Sequence, residues 1–194
     1  LEKLKNTTIV FLGFSLVASC IYVINDLFDK EFDKIHFSKK NRPIASGKIS
    51  TSKALIVAIS CLTLGLISIY SVSFSAFCLT FFYFIINLLY SYKLKQLSIL
   101  EFCIVASGFV IRIFIGGEIN EIFLSQWIII MVFLLSIFLA VSKRRDDVLQ
   151  YVTENKKNRI VVEYYNLEFL DKIINIVSSV LIVSYLLFIS SADL

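Results

Sequence analysis

Three aspartates, Asp26, Asp29 and Asp33, follow Asn25 at intervals of three and four residues. At about 100° per residue, that spacing places the three carboxylates on one face of a helix, within about 60° of one another. Carboxylates so close raise each other's pKa unless a cation intervenes, and a divalent ion removes the conflict. Hard oxygen donors favour Mg²⁺ or Ca²⁺, and Mg²⁺ is commonly shared between one or two carboxylates and the phosphate oxygens of a substrate. Asp26, Asp29 and Asp33 are therefore the expected metal ligands, with Asn25 supplying an amide ligand or orienting a water. The plain alternative is a solvated helix end with ordinary surface acids. The metal reading is preferred because the cluster closes an uncharged apolar run and leads straight into a basic one.

That basic run is Lys39-Lys40-Asn41-Arg42-Pro43-Ile44-Ala45-Ser46-Gly47-Lys48. Lysine and arginine suit phosphate oxygens, and arginine can engage two at once. Lys40 and Arg42 are the expected anion contacts here, and a rigid turn through Pro43 and Gly47 would aim Arg42. His36, the single histidine, could touch substrate, although a plain loop histidine is the commoner case. A second charged stretch, Ser142-Lys143-Arg144-Arg145-Asp146-Asp147, is expected to open another loop, with Lys143 and Asp147 one helical turn apart and able to pair. Taken alone, such a run is usually a membrane anchor. Arg112 lies inside an apolar stretch, where it is costly unless paired or facing a polar cavity, so it is expected to face the interior of a helix bundle. Glu101 is eleven residues away, too far along the helix to be its direct partner.

The elements that must position these groups are membrane helices. The 194-residue chain is 58% hydrophobic, with a mean hydropathy of +0.82, values that a soluble domain of this size rarely reaches. Residues 7–24, 54–92, 122–142 and 173–192 carry no charge. About 20 apolar residues cross the hydrocarbon core, so the run 54–92 is long enough for two crossings, with a turn near Ser71, Ser73 and Ser75. A sixth span, about 99–117, contains Glu101 and Arg112. The prediction is an all-α polytopic transmembrane helix bundle of about six membrane helices, in one domain.

Charge sets the orientation. Of 19 Lys and Arg, 16 fall in residues 29–53, at Lys93 and Lys95, or in residues 143–172, whereas residues 116–126 have none and carry Glu118 and Glu121. The basic connections are therefore expected in the cytoplasm, and both charged clusters with them. Only Lys3 and Lys5 fall on the outer side. The net charge of +4 is then orientation and site chemistry, so no nucleic-acid partner is expected, and the spans lack the alternation of a lipid-facing β-barrel. Cys20, Cys61, Cys78 and Cys103 lie in predicted spans at no metal-binding spacing and are expected to be small packing residues. The chain opens on Leu1 and closes directly after a hydrophobic span, so a longer protein is expected around it.

The segment Asn25-Asp26-Leu27-Phe28-Asp29-Lys30-Glu31-Phe32-Asp33 resembles the N-D-x-x-D-x-x-x-D signature of the UbiA superfamily of intramembrane prenyltransferases. Within it, the likeness is to the decaprenyl-phosphate phosphoribosyltransferases and their bacterial relatives. Arg42-Pro43-Ile44-Ala45-Ser46-Gly47 resembles their R-P-I-A-x-G turn, Tyr90-Ser91-Tyr92-Lys93-Leu94-Lys95 their Y-S-x-x-L-K, Gly108-Phe109-Val110-Ile111-Arg112 their G-F-x-x-R, and Lys143-Arg144-Arg145-Asp146-Asp147 their K-R-x-x-[DE]. The stretch from Tyr165 to Asp171 is also similar.

The resemblance departs in places. The family has about nine membrane helices, so an N-terminal helix and the C-terminal helices are expected to lie outside this chain. Glu101 stands where Asp is common. Lys143 stands where the wider superfamily usually has an acid, which favours the phosphoribosyl branch.

What the resemblance implies is Mg²⁺-dependent transfer of 5-phosphoribose from phosphoribosyl pyrophosphate to a polyprenyl phosphate lipid, at the cytoplasmic face of a bacterial inner membrane. Asp26, Asp29, Asp33, Lys143 and Asp147 would be catalytic. Asn25, Lys40, Arg42, Lys95, Arg112, Arg144 and Asp146 would bind substrate. A homo-oligomer is compatible with this reading. The alternatives are a prenyltransferase acting from a polyprenyl diphosphate onto an aromatic acceptor, which would use the same aspartates, and a non-enzymatic transporter or scaffold. The last would place acids near mid-bilayer rather than at its edge.

Overall fold

The computed structural model describes residues 1–35, 39–154 and 160–192, and His36 lies outside them. The helices are α1 (Glu2–Phe28), α2 (Lys30–Ile35), α3 (Thr51–Tyr70), α4 (Phe74–Tyr92), α5 (Leu100–Asn120), α6 (Gln126–Glu154) and α7 (Leu167–Ala192), with short 3₁₀ turns at Lys39–Asn41, Leu94–Gln96 and Ile160–Tyr164. No strand occurs among the described residues. Among the described residues, six helices, all but α2, are long and apolar enough to cross a membrane, as predicted. The 54–92 run breaks at residues 71–73, where the seryl turn is expected. One boundary differs substantially: α6 runs on to Glu154, so the second charged cluster lies on a helix rather than opening a loop. Val141, Arg144 and Val148, spaced by three and four, stay on one buried stripe of that helix, and burying the stripe carries the helix past its last apolar span residue.

The chain divides into two compact units, one of Leu1–Tyr92 with Ile115–Ile122 and one of Lys93–Phe114 with the described residues from Phe123 onward. The first is built on α1 against α3 and α4. The buried stripe of α1 is Val10, Gly13, Val17, Cys20 and Ile21, and that of α3 is Ala54, Ala58, Gly65 and Ile69. Both repeat near 3.6 residues. Small residues let the two backbones approach closely, the usual device for packing helices in lipid, where apolar contact alone gives no preference for a neighbour. A Cβ at Gly65 would lie 2.6 Å from the Gly13 carbonyl oxygen and 2.8 Å from Val17 Cγ2. Gly65→Val is therefore expected to push α3 off α1 and to cost about 1–3 kcal/mol through overpacking, read as a lower thermal midpoint in detergent. An unchanged midpoint would contradict the close approach.

At the far end of this unit Lys3 Nζ donates to Glu121 Oε2 at 2.7 Å, and the Thr7 hydroxyl donates to Asn120 Oδ1 at 3.0 Å. The Lys3–Glu121 pair is exposed and adds little stability. It does bring the start of α1 to the connection after α5, as alternating crossings require. Apolar side chains such as Phe11, Ile56, Ile67 and Phe74 point outward and are more than half exposed. That distribution suits a lipid solvent and would be a liability in water.

The second unit packs α6 against α7 around Phe102, Val141, Val148, Val161, Val162, Tyr165 and Leu170. The Asn166 side chain caps α7 by accepting from the Phe169 amide at 2.7 Å. Ile99, β-branched yet at φ 68°, is in a strained conformation. Its N–H donates to the Tyr165 hydroxyl at 2.7 Å, and the Tyr165 ring stacks between Phe102 and Phe169. Burial pushes the Tyr165 phenol above its ordinary value near 10. Because the folded value is raised, its stabilising effect is complete below pH 10 and declines only as pH climbs toward the folded value. Tyr165→Phe is expected to cost about 1 kcal/mol, the net worth of one such hydrogen bond, and hydrogen exchange of the Ile99 amide should speed up.

Candidate functional site

In the first unit, α1 stops at Phe28, and Asp29 is its cap with φ −89° and ψ 0°. The helical register survives the stop: the Asp29 amide donates to the Asn25 carbonyl at 2.9 Å, and the Asp33 amide to the Asp29 carbonyl at 2.7 Å. The acids thus follow one another as the spacing predicts, but on two helices and not one. Beyond α2, the 3₁₀ turn at Lys39–Asn41 leads into a tight reversal. The Arg42 amide donates to the Lys39 carbonyl at 2.9 Å, the Ser46 amide to the Arg42 carbonyl at 2.8 Å, and the Ile49 amide to the Pro43 carbonyl at 3.0 Å. Ile44 and Ala45 are buried beneath this turn, and Gly47 takes φ +78°, a conformation that favours glycine. Arg-Pro-Ile-Ala-x-Gly is thus a folded bracket, with apolar residues seated and a glycine where the chain turns back.

The bracket aims Arg42 into the acid cluster. Its Nη1 donates to Asp26 Oδ1 and to Asp33 Oδ2, each at 2.8 Å. Asp29 takes a different contact, accepting from Asn25 Nδ2 at 3.2 Å. Asp33 is 1% exposed, and its other oxygen, Oδ1, has no hydrogen-bond partner among the described residues. A buried acceptor left unsatisfied costs about 1–3 kcal/mol, more for a charged group. Among the described residues, no group of three or more His, Cys, Asp or Glu is arranged to hold a metal, and a guanidinium spans Asp26 and Asp33 instead. Neighbouring carboxylates repel each other, and the Arg42 guanidinium supplies a positive charge between Asp26 and Asp33. The residues still fit a hard divalent ion, because every donor is a carboxylate or amide oxygen and one buried oxygen is unclaimed. Lys40 is exposed, and Lys30 Nζ donates to the Thr51 hydroxyl at 3.2 Å.

The second unit assembles its charges differently. Arg144, 5% exposed, grips Glu101 with two hydrogen bonds, Nε to Oε1 at 2.8 Å and Nη2 to Oε2 at 2.5 Å. Its Nη1 donates to Asp147 Oδ2 at 2.6 Å. The anticipated Lys143–Asp147 pairing is thus replaced by Arg144–Asp147, three residues apart on α6, and Lys143 is exposed. Arg144, expected to meet substrate, is turned inward onto two acids. Its neighbour Arg145 donates to Asp171 Oδ1 at 2.5 Å. Asp146 is exposed and Lys95 half-buried. Arg112 is half-buried with its guanidinium 4.8 Å above the Phe109 ring, a contact that offsets part of the cost of a charge in an apolar span.

Sequence reasoning missed Glu101 as Arg144's partner. The signal was present: Val141, Arg144 and Val148 share one helical stripe, so the arginine must be inward, and Glu101 is the one acid within the apolar stretches. An inward arginine needs an inward acid.

Decaprenyl-phosphate phosphoribosyltransferase from Mycolicibacterium smegmatis is 32% identical over 186 residues, covering 96% of this chain and 58% of that protein. The enzyme of the same name from Corynebacterium glutamicum is 30% identical over 184 residues, covering 94% of this chain and 55% of that protein. The chain thus spans a little over half the length of these relatives. A UbiA homolog from Archaeoglobus fulgidus, solved with DMAPP and Mg²⁺ bound, superposes with a TM-score of 0.81 at 20% identity, covering 94% of this chain and 65% of that one. At that identity the likeness is one of fold. The model of the UbiA prenyltransferase family matches residues 2–161, which include the aspartate cluster, the bracket and the Arg144 turn, and on that match the chain belongs to the UbiA prenyltransferase family.

Proposed function

We propose that this protein transfers 5-phosphoribose from phosphoribosyl pyrophosphate to a polyprenyl phosphate, releasing pyrophosphate, in a Mg²⁺-dependent reaction at the cytoplasmic face of a bacterial inner membrane. The observation that carries the reading is the buried, unclaimed Asp33 oxygen beside Asp26 and Arg42, at the end of a membrane helix. The relatives named for this reaction, and Lys143 in the second motif, support the phosphoribosyl branch over aromatic prenyl transfer.

Asp26, Asp29 and Asp33 would hold Mg²⁺, with Asn25 orienting Asp29 through the hydrogen bond it donates. An ion held by these residues would supply neutralisation of the charge that builds on the departing pyrophosphate, the principal electrostatic help this chemistry needs. The transition state is oxocarbenium-like at the anomeric carbon, by analogy with glycosyl transfer. The acceptor phosphate is already an anion, so no side chain needs to act as a strong base. Arg42, Lys40 and Lys95 suit the donor's phosphates. Lys143 and Arg112 suit the ribosyl or acceptor phosphate, and Asp146 and Asp147 suit ribose hydroxyls. Arg144, held by Glu101, positions Asp147, its guanidinium being turned onto these two carboxylates.

The test is an assay of the membrane-embedded protein with labelled phosphoribosyl pyrophosphate, polyprenyl phosphate and Mg²⁺. Label in the lipid fraction is the expected result. No labelled lipid, together with turnover of a polyprenyl diphosphate with an aromatic acid, would replace this reading by aromatic prenyl transfer.

A further inference from the structure

We infer that Arg42 is an internal counter-ion that occupies the acid pair until metal arrives, so that the site resists a bare metal ion and opens when the cation can displace the guanidinium. The inference rests on the proposed metal role of Asp26 and Asp33. One nitrogen, Arg42 Nη1, bonds both carboxylates at 2.8 Å. It stands between two of the carboxylates that are proposed to hold the ion. Asp33 is almost wholly buried, whereas the Arg42 side chain is 37% exposed. The acid is therefore fixed, and the base has room to leave toward solvent while its backbone stays pinned in the bracket. The guanidinium satisfies Asp33 Oδ2 only, and Oδ1 stays without a partner. A cation that engaged both oxygens would remove that penalty, so exchange of one positive partner for another has a favourable term built in. Once displaced, Arg42 is a free guanidinium beside the cluster, suited to an anion arriving with the metal.

The test is equilibrium binding of Mn²⁺, followed by electron paramagnetic resonance in detergent without any phosphate compound. Arg42→Gln should bind Mn²⁺ about tenfold more tightly than the unaltered protein, since a charge-assisted contact no longer competes. Removing any nearby positive charge tightens cation binding slightly, so Lys30→Gln is the control and should shift affinity by less than about twofold, because the half-buried Lys30 is bonded to the Thr51 hydroxyl. If Arg42→Gln fails to fold, Arg42→Met carries the same expectation. A change at Arg42 no larger than at Lys30, or a weaker affinity, overturns the counter-ion role. Asp33→Asn separates the two readings. If it binds Mn²⁺ as well as the unaltered protein, the metal is not held by this cluster, and the proposed function loses its basis together with the inference. If it loses Mn²⁺ while Arg42→Gln gains nothing, only the inference falls.

Discussion

Replacing Asp33 by asparagine is expected to lower turnover by about 10³-fold, the scale on which a single preorganised electrostatic contact to a reacting group acts. The substitution keeps the shape of the side chain and removes its charge. Asp33 is buried to 1% exposure, so water cannot replace the lost oxygen. An asparagine NH₂ there would present a donor either to Arg42 Nη1, itself a donor to this position, or to a metal ion, and neither accepts one. Stability should change much less than activity, because Arg42 keeps Asp26 as a partner and remains part-exposed. The measurements are turnover in membranes and the thermal midpoint in detergent. Near-normal turnover of the Asp33→Asn protein would show that the departing group is neutralised elsewhere.

The second large effect is expected at Glu101. Glu101→Ala should cost about 3–5 kcal/mol of stability, since removing one partner of a buried ion pair leaves the other charge uncompensated. Arg144 is 5% exposed and Glu101 2%, and Asp147 alone would have to balance the guanidinium. The pair replaced together, Glu101→Leu with Arg144→Met, should recover most of that loss, because buried ion pairs exchange for apolar residues at little cost. Turnover should not recover with it, because Asp147 would lose the guanidinium that fixes Oδ2. A double variant restored in both stability and turnover would reduce Arg144 to a packing element.

Much of the fold is legible in the residues. A 20-residue apolar run can satisfy its backbone in lipid only as a helix, so six spans follow from length and hydropathy. The turn at residues 71–73 follows from the serines that interrupt the run. Arg42 and its bracket are also legible, because proline fixes its own φ and glycine admits the left-handed turn that other residues resist, whatever surrounds them. The boundaries that differ are those set by neighbours. The stripe of Val141, Arg144 and Val148 carries α6 beyond its apolar run because α7 and the Val161–Val162 segment cover it. Periodicity announces such a stripe without saying what lies against it.

The sequence by itself determined an all-α membrane protein, the aspartate spacing and the arginine bracket, because these depend on interactions within a few residues. Tertiary structure decided which charge meets which: Arg42 with Asp26 and Asp33 across 16 and 9 residues, and Arg144 with Glu101 across 43. Coulomb attraction inside an apolar surround is strong and selects by distance. Distances between segments far apart in the chain exist only once helices such as α1 and α3 have closed on their glycines and the bracket has turned its arginine inward.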